Sequence, residues 1–327
     1  MDFLDSEGQA RLEQYIDRIG EVLGNDSRRG SFAMYAAGML GEGDRKSVEP
    51  VAARACADPG RTDATHQRLL HFVANSDWSD ADVRREAARY ALDAMTGREP
   101  VVAWIVDDTG FLKQGKHSVG VQRQYTGSAG KKANCQIGVS LTVATPTEHL
   151  PVDFELYLPD CWTSDKARRA EARIPAEVEF KTKPELALDM VRRAVRDGLP
   201  RGVVLGDAGY GSTDFRVAIR DLGLHYALGV MPQTNVFTIP GDESADSVQI
   251  GVKHLAMQLE AEGAFRRCTW REGTRAPLSA RFVRRRVLAA SDPSEELWLL
   301  IEWRDGESEP SNSSSDPSRR RSPSETW

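Results

Sequence analysis

The 327-residue sequence is poor in several features, and each shortage removes a class of protein. Its four cysteines, Cys56, Cys135, Cys161 and Cys268, lie far apart with no C-x-x-C pair. That argues against a zinc ribbon or a disulfide framework and leaves buried free thiols. No run approaches the ~20 apolar residues of a membrane span. The start, MDFLDSEGQARLEQ, lacks the basic flank and apolar core of a secretory signal. The expected compartment is the cytoplasm, with no membrane partner. Basic residues are not in excess either: 43 Lys and Arg stand against 49 Asp and Glu, a formal charge of -6. A uniformly basic nucleic-acid coat is excluded, and such a partner has to be read from local charge. G-x-x-x-x-G-K-[ST], H-E-x-x-H and G-x-S-x-G are all missing, and the glycines of GDAGYG do not form the dinucleotide fingerprint.

What is present is a globular composition, 40% hydrophobic and 28% charged, in a chain long enough for about two domains. Residues 1–98 read as helical: Leu12, Tyr15, Ile16, Ile19 and Val22 recur at helical spacing, as do Val83, Ala87, Tyr90, Ala91 and Met95. Asp80 is expected to cap a helix, with Gly24 and Gly97 at helix ends. At Val101 the period changes. VVAWIV, CQIGVSLTVAT and VDFELYLP read as strands, followed by the helix PELALDMVRRAVRDGL, the strand GVVLGD, the helix TDFRVAIRDLGL and the strand HYALGV. That order predicts an α/β core with a mixed sheet over residues 99–235. SARFVRRRVLAA and ELWLLIEW, with the helix VKHLAMQLEAEG, predict a β-rich insertion over 236–303. Residues 304–327, dominated by Ser, Pro, Arg and acids, predict a disordered tail.

Chemistry is suggested first by acids at strand ends. Asp107 and Asp108 close VVAWIV, and Asp207 closes GVVLG. Carboxyl ends of strands in such a sheet share one rim, so Asp108 and Asp207 can meet although far apart in sequence. Two carboxylates held together repel unless a cation lies between them, and hard oxygens select Mg2+ or Mn2+. Such a pair suits two-metal phosphoryl transfer. The plainer alternative is that these acids start turns or cap helices. From Phe111 to Gln136 the chain then carries Lys113, Lys116, His117, Arg123, Lys131 and Lys132 and no acid, a local footprint for a nucleic-acid backbone. A solvated loop is the alternative. His117, without a His or Cys at ligand spacing, reads as a polar contact. Asp165, Lys166, Arg168 and Arg169 read equally as a substrate-facing loop or a solvated connection.

DDTGFLKQGKHSVGVQRQYTGSAGKKANCQIGVSL, LPVDFELYLPDCW and VVLGDAGYG, in this order, resemble the catalytic domain of DDE-type transposases of bacterial insertion sequences, the DDE superfamily endonuclease group. The resemblance runs from about residue 10 to residue 303. It implies an α/β, ribonuclease-H-like fold with a mixed sheet, an N-terminal all-helical DNA-binding region and a β-rich C-terminal insertion. It further implies that Asp108 and Asp207 are the first two metal-binding carboxylates, with Asp107 as a supporting partner. Mg2+ or Mn2+ as cofactor, double-stranded DNA at element ends, and a homodimer in the synaptic complex also follow from it. The family places a third carboxylate, a Glu, on a helix beyond the insertion. Here that text gives way to the tail, and Glu302, in a strand-like run, substitutes poorly. The expectation is a chain truncated or frameshifted near Ser311 and catalytically inactive. The alternatives are a non-catalytic DNA-binding repressor or poisoned subunit, and a metal-dependent phosphatase or nuclease.

Overall fold

The computed structural model describes residues 5–56, 58–239, 247–272, 277–307 and 310. The chain divides into two compact units, Met1–Val102 with Thr142–Phe154, and Ala103–Leu141 with Glu155–Trp327.

The first unit is built on helices α1 (Ser6–Leu23), α2 (Asp26–Leu40), α3 (Val48–Ala55), α4 (Thr62–Asn75) and α5 (Asp80–Thr96). Asp5 starts α1 by accepting from Gly8 N, and Gly24, at φ 80°, ends it in the left-handed conformation that glycine adopts without strain. The helical period of the sequence becomes burial: Ile19 and Leu23 pack with Phe72 in one cluster, and Val51, Ala52 and Leu69 form a second. The cap of α5 differs from expectation. Ser79, not Asp80, accepts from Asp82 N, at 3.2 Å. Asp80 is the first helical residue, where the positive pole of the helix favours an acid, and it pairs with Arg84 one turn on.

The second unit begins with strands β1 (Ala103–Leu112), β2 (Gln122–Thr126) and most of β3 (Lys131–Ala144), whereas most of β4 (His149–Tyr157) is counted with the first unit. Short helices α6 (Asp160–Thr163) and α7 (Lys166–Glu171) lead to α8 (Lys183–Arg196), β5 (Val203–Gly206), α9 (Thr213–Asp221) and β6 (Tyr226–Leu228). The sheet runs β2-β3-β1-β5-β6, with β4 also paired to β3. β2 is antiparallel to β3, whereas β1, β5 and β6 are parallel neighbours. The parallel half follows from connection length, since a strand reached through a helical crossover returns in the same direction. This mixed sheet is the α/β core that the element order predicts. Trp104, Val106, Ile137, Val139, Leu141 and Val204 are buried in it, as are Met190 and Val191 of α8.

Two sequence expectations change here. β1 does not stop at Val106 but continues to Leu112, its end tied by Lys113 N donating to Asn134 O at 2.9 Å. Asp107 and Asp108 therefore lie inside a strand, not at its end. The basic segment is also not one loop, because Arg123 sits on β2 and Lys131 and Lys132 open β3.

The same unit contains a second sheet built from β7 (Asn235–Thr238), β8 (Gln249–Gly251), β9 (Arg266–Glu272), β10 (Pro277–Ala289) and β11 (Asp292–Trp303), with α10 (Val252–Ala261) between β8 and β9. The order is β11-β10-β7-β8, with β9 on β10. Leu255, Leu259, Phe265, Val287, Ile301 and Trp303 share its core. β10, β11 and α10 match the apolar runs; β7, β8 and β9 are too short or too polar to stand out. Glu302 lies in β11 with Arg304 Nε 3.2 Å from its carboxylate. Trp303 Nε1 donates to Glu307 O, and Arg267 binds both oxygens of Asp305. The rest of the expected tail, Pro310 excepted, lies outside the described residues. Among the described residues no helix is long and apolar enough to cross a membrane.

Candidate active site

The parallel pairing of β1 with β5 brings the two acidic motifs together. Their register ends at Val106 opposite Gly206, so Asp107 of β1 and Asp207, the residue after β5, come next. Strand alternation puts Asp108 on the face of Trp104 and Val106, the buried face, and Asp107 on the other.

The backbone after β5 turns at once. Asp207 Oδ1 accepts from Gly209 N at 2.8 Å, and Tyr210 N donates to Asp207 O at 3.1 Å. This turn touches the chain beyond β6 so closely that a Cβ on Gly211 would lie 2.3 Å from Gly229 O, and one on Gly229 would lie 2.6 Å from Ala208 N. Contact of backbone with backbone is what requires glycine at both. Ser212 then caps α9, accepting from Phe215 N.

Three further side chains complete the surroundings. Lys183, first residue of α8, places its ammonium 2.9 Å from Asp108 Oδ2. Tyr210 is buried beside Phe215, and its hydroxyl has no hydrogen-bond partner among the described residues. Burial pushes that phenol well above its ordinary range, and the charges of Asp108, Asp107 and Asp207 push it further. Cys135 on β3 is fully buried, and burial raises its thiol. Asp107 is itself raised, first by loss of hydration and then by Asp108 and Asp207, against the opposing hydrogen bond from Asp108 N. The acids therefore repel one another, and Lys183 offsets only part of that charge.

No set of three His, Cys, Asp or Glu among the described residues stands ready to enclose an ion. The donors nevertheless fit Mg2+ or Mn2+ in kind. They are hard oxygens in mutual repulsion beside an orphaned buried hydroxyl, and Mg2+ is commonly held by one or two carboxylates with water and substrate phosphate filling the shell. Sequence reading singled out the aspartates but not Lys183 or Tyr210. The available signals were a lysine at a helix start, where the dipole opposes it, and the tyrosine of GDAGYG.

Lys113, Lys116, Arg123, Lys131 and Lys132 are all exposed. Asn134 Nδ2 donates to the carbonyls of Lys113 and Gly115, and Gln136 Nε2 to that of Val119, so β3 pins the intervening loop. His117 is exposed, with Nδ1 3.7 Å from Glu171. Asp165 caps α7, and Arg169 donates to the carbonyls of Thr163, Pro175, Ala176 and Val178. Arg168 lies 3.5 Å over the ring of Trp162. The 165–169 segment is thus largely engaged in local structure.

Comparison with known proteins bears on this geometry. The family model of the DDE superfamily endonucleases matches residues 18–277. A protein of Microchaete diplosiphon described as "Probable transposase for insertion sequence element IS701" is 26% identical over 212 residues, 64% of this chain and 51% of its own length. The chain thus matches about half of that curated relative. A solved structure, the piggyBac transposase synaptic complex with hairpin DNA, aligns over 86% of this chain and 53% of that chain, with 9% identity and a TM-score of 0.35. A likeness that loose supports no inference.

Proposed function

The chain belongs to the DDE superfamily endonuclease family, the DDE-type transposases of insertion sequences, and on that premise we propose that it carries out metal-dependent DNA strand cleavage and transfer at insertion-sequence ends. The observation that supports the reading is the parallel β1–β5 pair, whose register brings Asp207, the residue after β5, beside Asp107 of the DDTGF motif. In it Asp108 and Asp207 would hold Mg2+ or Mn2+, with Asp107 supporting them. Such an ion, when bound, supplies Lewis-acid stabilisation of charge on the phosphate oxygens and lowers the pKa of bound water. The turn at Gly209–Gly211 orients Asp207, and in the cation-free protein Lys183 neutralises Asp108.

The DNA backbone would run over Lys113, Lys116, His117, Arg123, Lys131 and Lys132, with further contacts from the helical region of residues 1–98. The core would be 99–235, the insertion 236–303 and the tail 304–327. A homodimer would assemble on paired element ends, in the cytoplasm. Among the described residues no group of three or more His, Cys, Asp or Glu is arranged to hold an ion. Cleavage by this chain is accordingly expected to be weak, and the same observation favours a second reading, end binding without cleavage, as in a repressor or poisoned subunit.

The test is incubation of the purified chain with a supercoiled plasmid bearing the element ends, with Mg2+ or Mn2+. Element-end binding with faint nicking that disappears in Asp108→Ala and in Asp207→Ala is expected. Vigorous nicking that survives both substitutions would place the chemistry elsewhere.

A further inference from the structure

Lys183 stands where a helix disfavours a cation. It is the first residue of α8, at the positive pole of the aligned peptide dipoles, and the reciprocal capping of Thr182 and Glu185 already satisfies that end. The lysine gains nothing from its own helix. Its ammonium reaches Asp108 Oδ2 at 2.9 Å, with the ring of Tyr157 5.9 Å away. The two side chains are 30% and 28% exposed, so the pair can open to water without stranding a buried charge. No other basic side chain among the described residues pairs with Asp107, Asp108 or Asp207.

We propose that Lys183 is the exchangeable counter-ion of Asp108: its ammonium holds that carboxylate in the cation-free protein, competes with a divalent cation for it, and when displaced binds an oxygen of the DNA phosphate. The inference rests on the reading of Asp108 as a cation ligand and deepens it. The ammonium on Oδ2 and a divalent cation draw on the same carboxylate charge, so an ion that takes this oxygen competes with the 2.9 Å contact. The freed ammonium is then available to an oxygen of an incoming phosphate. Cation and DNA therefore favour one another's binding through this residue, and by linkage the effect is reciprocal. Lys183 acts on the ion through Asp108 and is a positioning residue in that step.

The experiment measures Mn2+ binding to the full chain by calorimetry and by the electron-spin signal of free Mn2+, without DNA. Wild type, Lys183→Met, Lys183→Gln, Lys183→Arg and Asp108→Asn are compared, with circular dichroism to confirm folding. Lys183→Met, or Lys183→Gln if Met fails to fold, is expected to bind Mn2+ about tenfold more tightly, because the competitor is gone. Lys183→Arg, which keeps the charge, should stay near wild type, and Asp108→Asn should lose binding. In a parallel duplex titration with Mn2+ present, Lys183→Met should have a salt slope shallower by about one phosphate contact. Equal or weaker Mn2+ affinity in the folded neutral variants overturns the exchange while leaving the site standing. Mn2+ affinity indifferent to Asp108→Asn overturns the site itself, and the exchange with it.

Discussion

Tyr226 of β6 and Glu295 of β11 meet in a 2.8 Å hydrogen bond that joins the first sheet of the second unit to the second sheet. Glu295 is 4% exposed, and its carboxylate also faces Arg220 at 3.0 Å and Arg216 at 3.5 Å. Burial and this bond push the Tyr226 phenol up to about 12. Arg216 donates onward to Gly211 O at 2.8 Å, so the cluster reaches the turn that carries Asp207. Removing one member of a buried pair leaves its partner uncompensated, at a cost of about 3–5 kcal/mol. Glu295→Ala should lower the urea midpoint accordingly, whereas Tyr226→Phe should cost only about 1 kcal/mol. Equal losses in the two variants would show that the hydrogen bond, not the charge, dominates.

Asp107 yields a pH-dependent prediction. Its pKa is raised on folding, so in the window just above the ordinary carboxylate value the folded state binds more protons than the unfolded state. Stability from this group therefore falls as pH rises through that window, and the penalty is fully present at neutral pH. In cation-free buffer, Asp107→Asn should raise the melting temperature at pH 7, and the gain should shrink toward zero on acidification below the ordinary carboxylate value. A gain unchanged by acid would remove the electrostatic account.

Neutralising Lys113, Lys116, Lys131 and Lys132 together should weaken DNA binding and reduce the slope of log K against log salt, by about 0.9 for each lysine that contacts a phosphate. Duplex titrations at several salt concentrations read this directly. An unchanged slope would move the DNA surface away from β3 and its neighbouring loop.

Gly211→Ala should destabilise the second unit by about 1–3 kcal/mol, because its Cβ would meet Gly229 O at 2.3 Å and neither backbone can yield freely. The same variant should weaken Mn2+ binding by shifting Asp207. Gly24→Asn, at a helix end open to solvent, is the control, since asparagine tolerates the left-handed conformation. Similar Mn2+ affinities in Gly211→Ala and in the control would separate the turn from the site.

The sequence by itself determined whatever local periodicity and turn chemistry decide. The amphipathic pattern of α1, α8 and α9, the apolar runs of β5, β10 and β11, and the DDTGF and GDAGYG motifs were all legible, because each depends on residues a few positions apart. It did not determine where β1 ends, since that depends on hydrogen bonds from a partner strand: Lys113 N finds Asn134 O on β3. Nor could it show that Lys183 meets Asp108 across 75 positions, or that the hydroxyl of Tyr210 is shut away unpaired. Those relations arise only when α8 packs on the sheet and β5 docks beside β1. Non-local pairing of that kind leaves no period in the chain, and tertiary structure alone decides it.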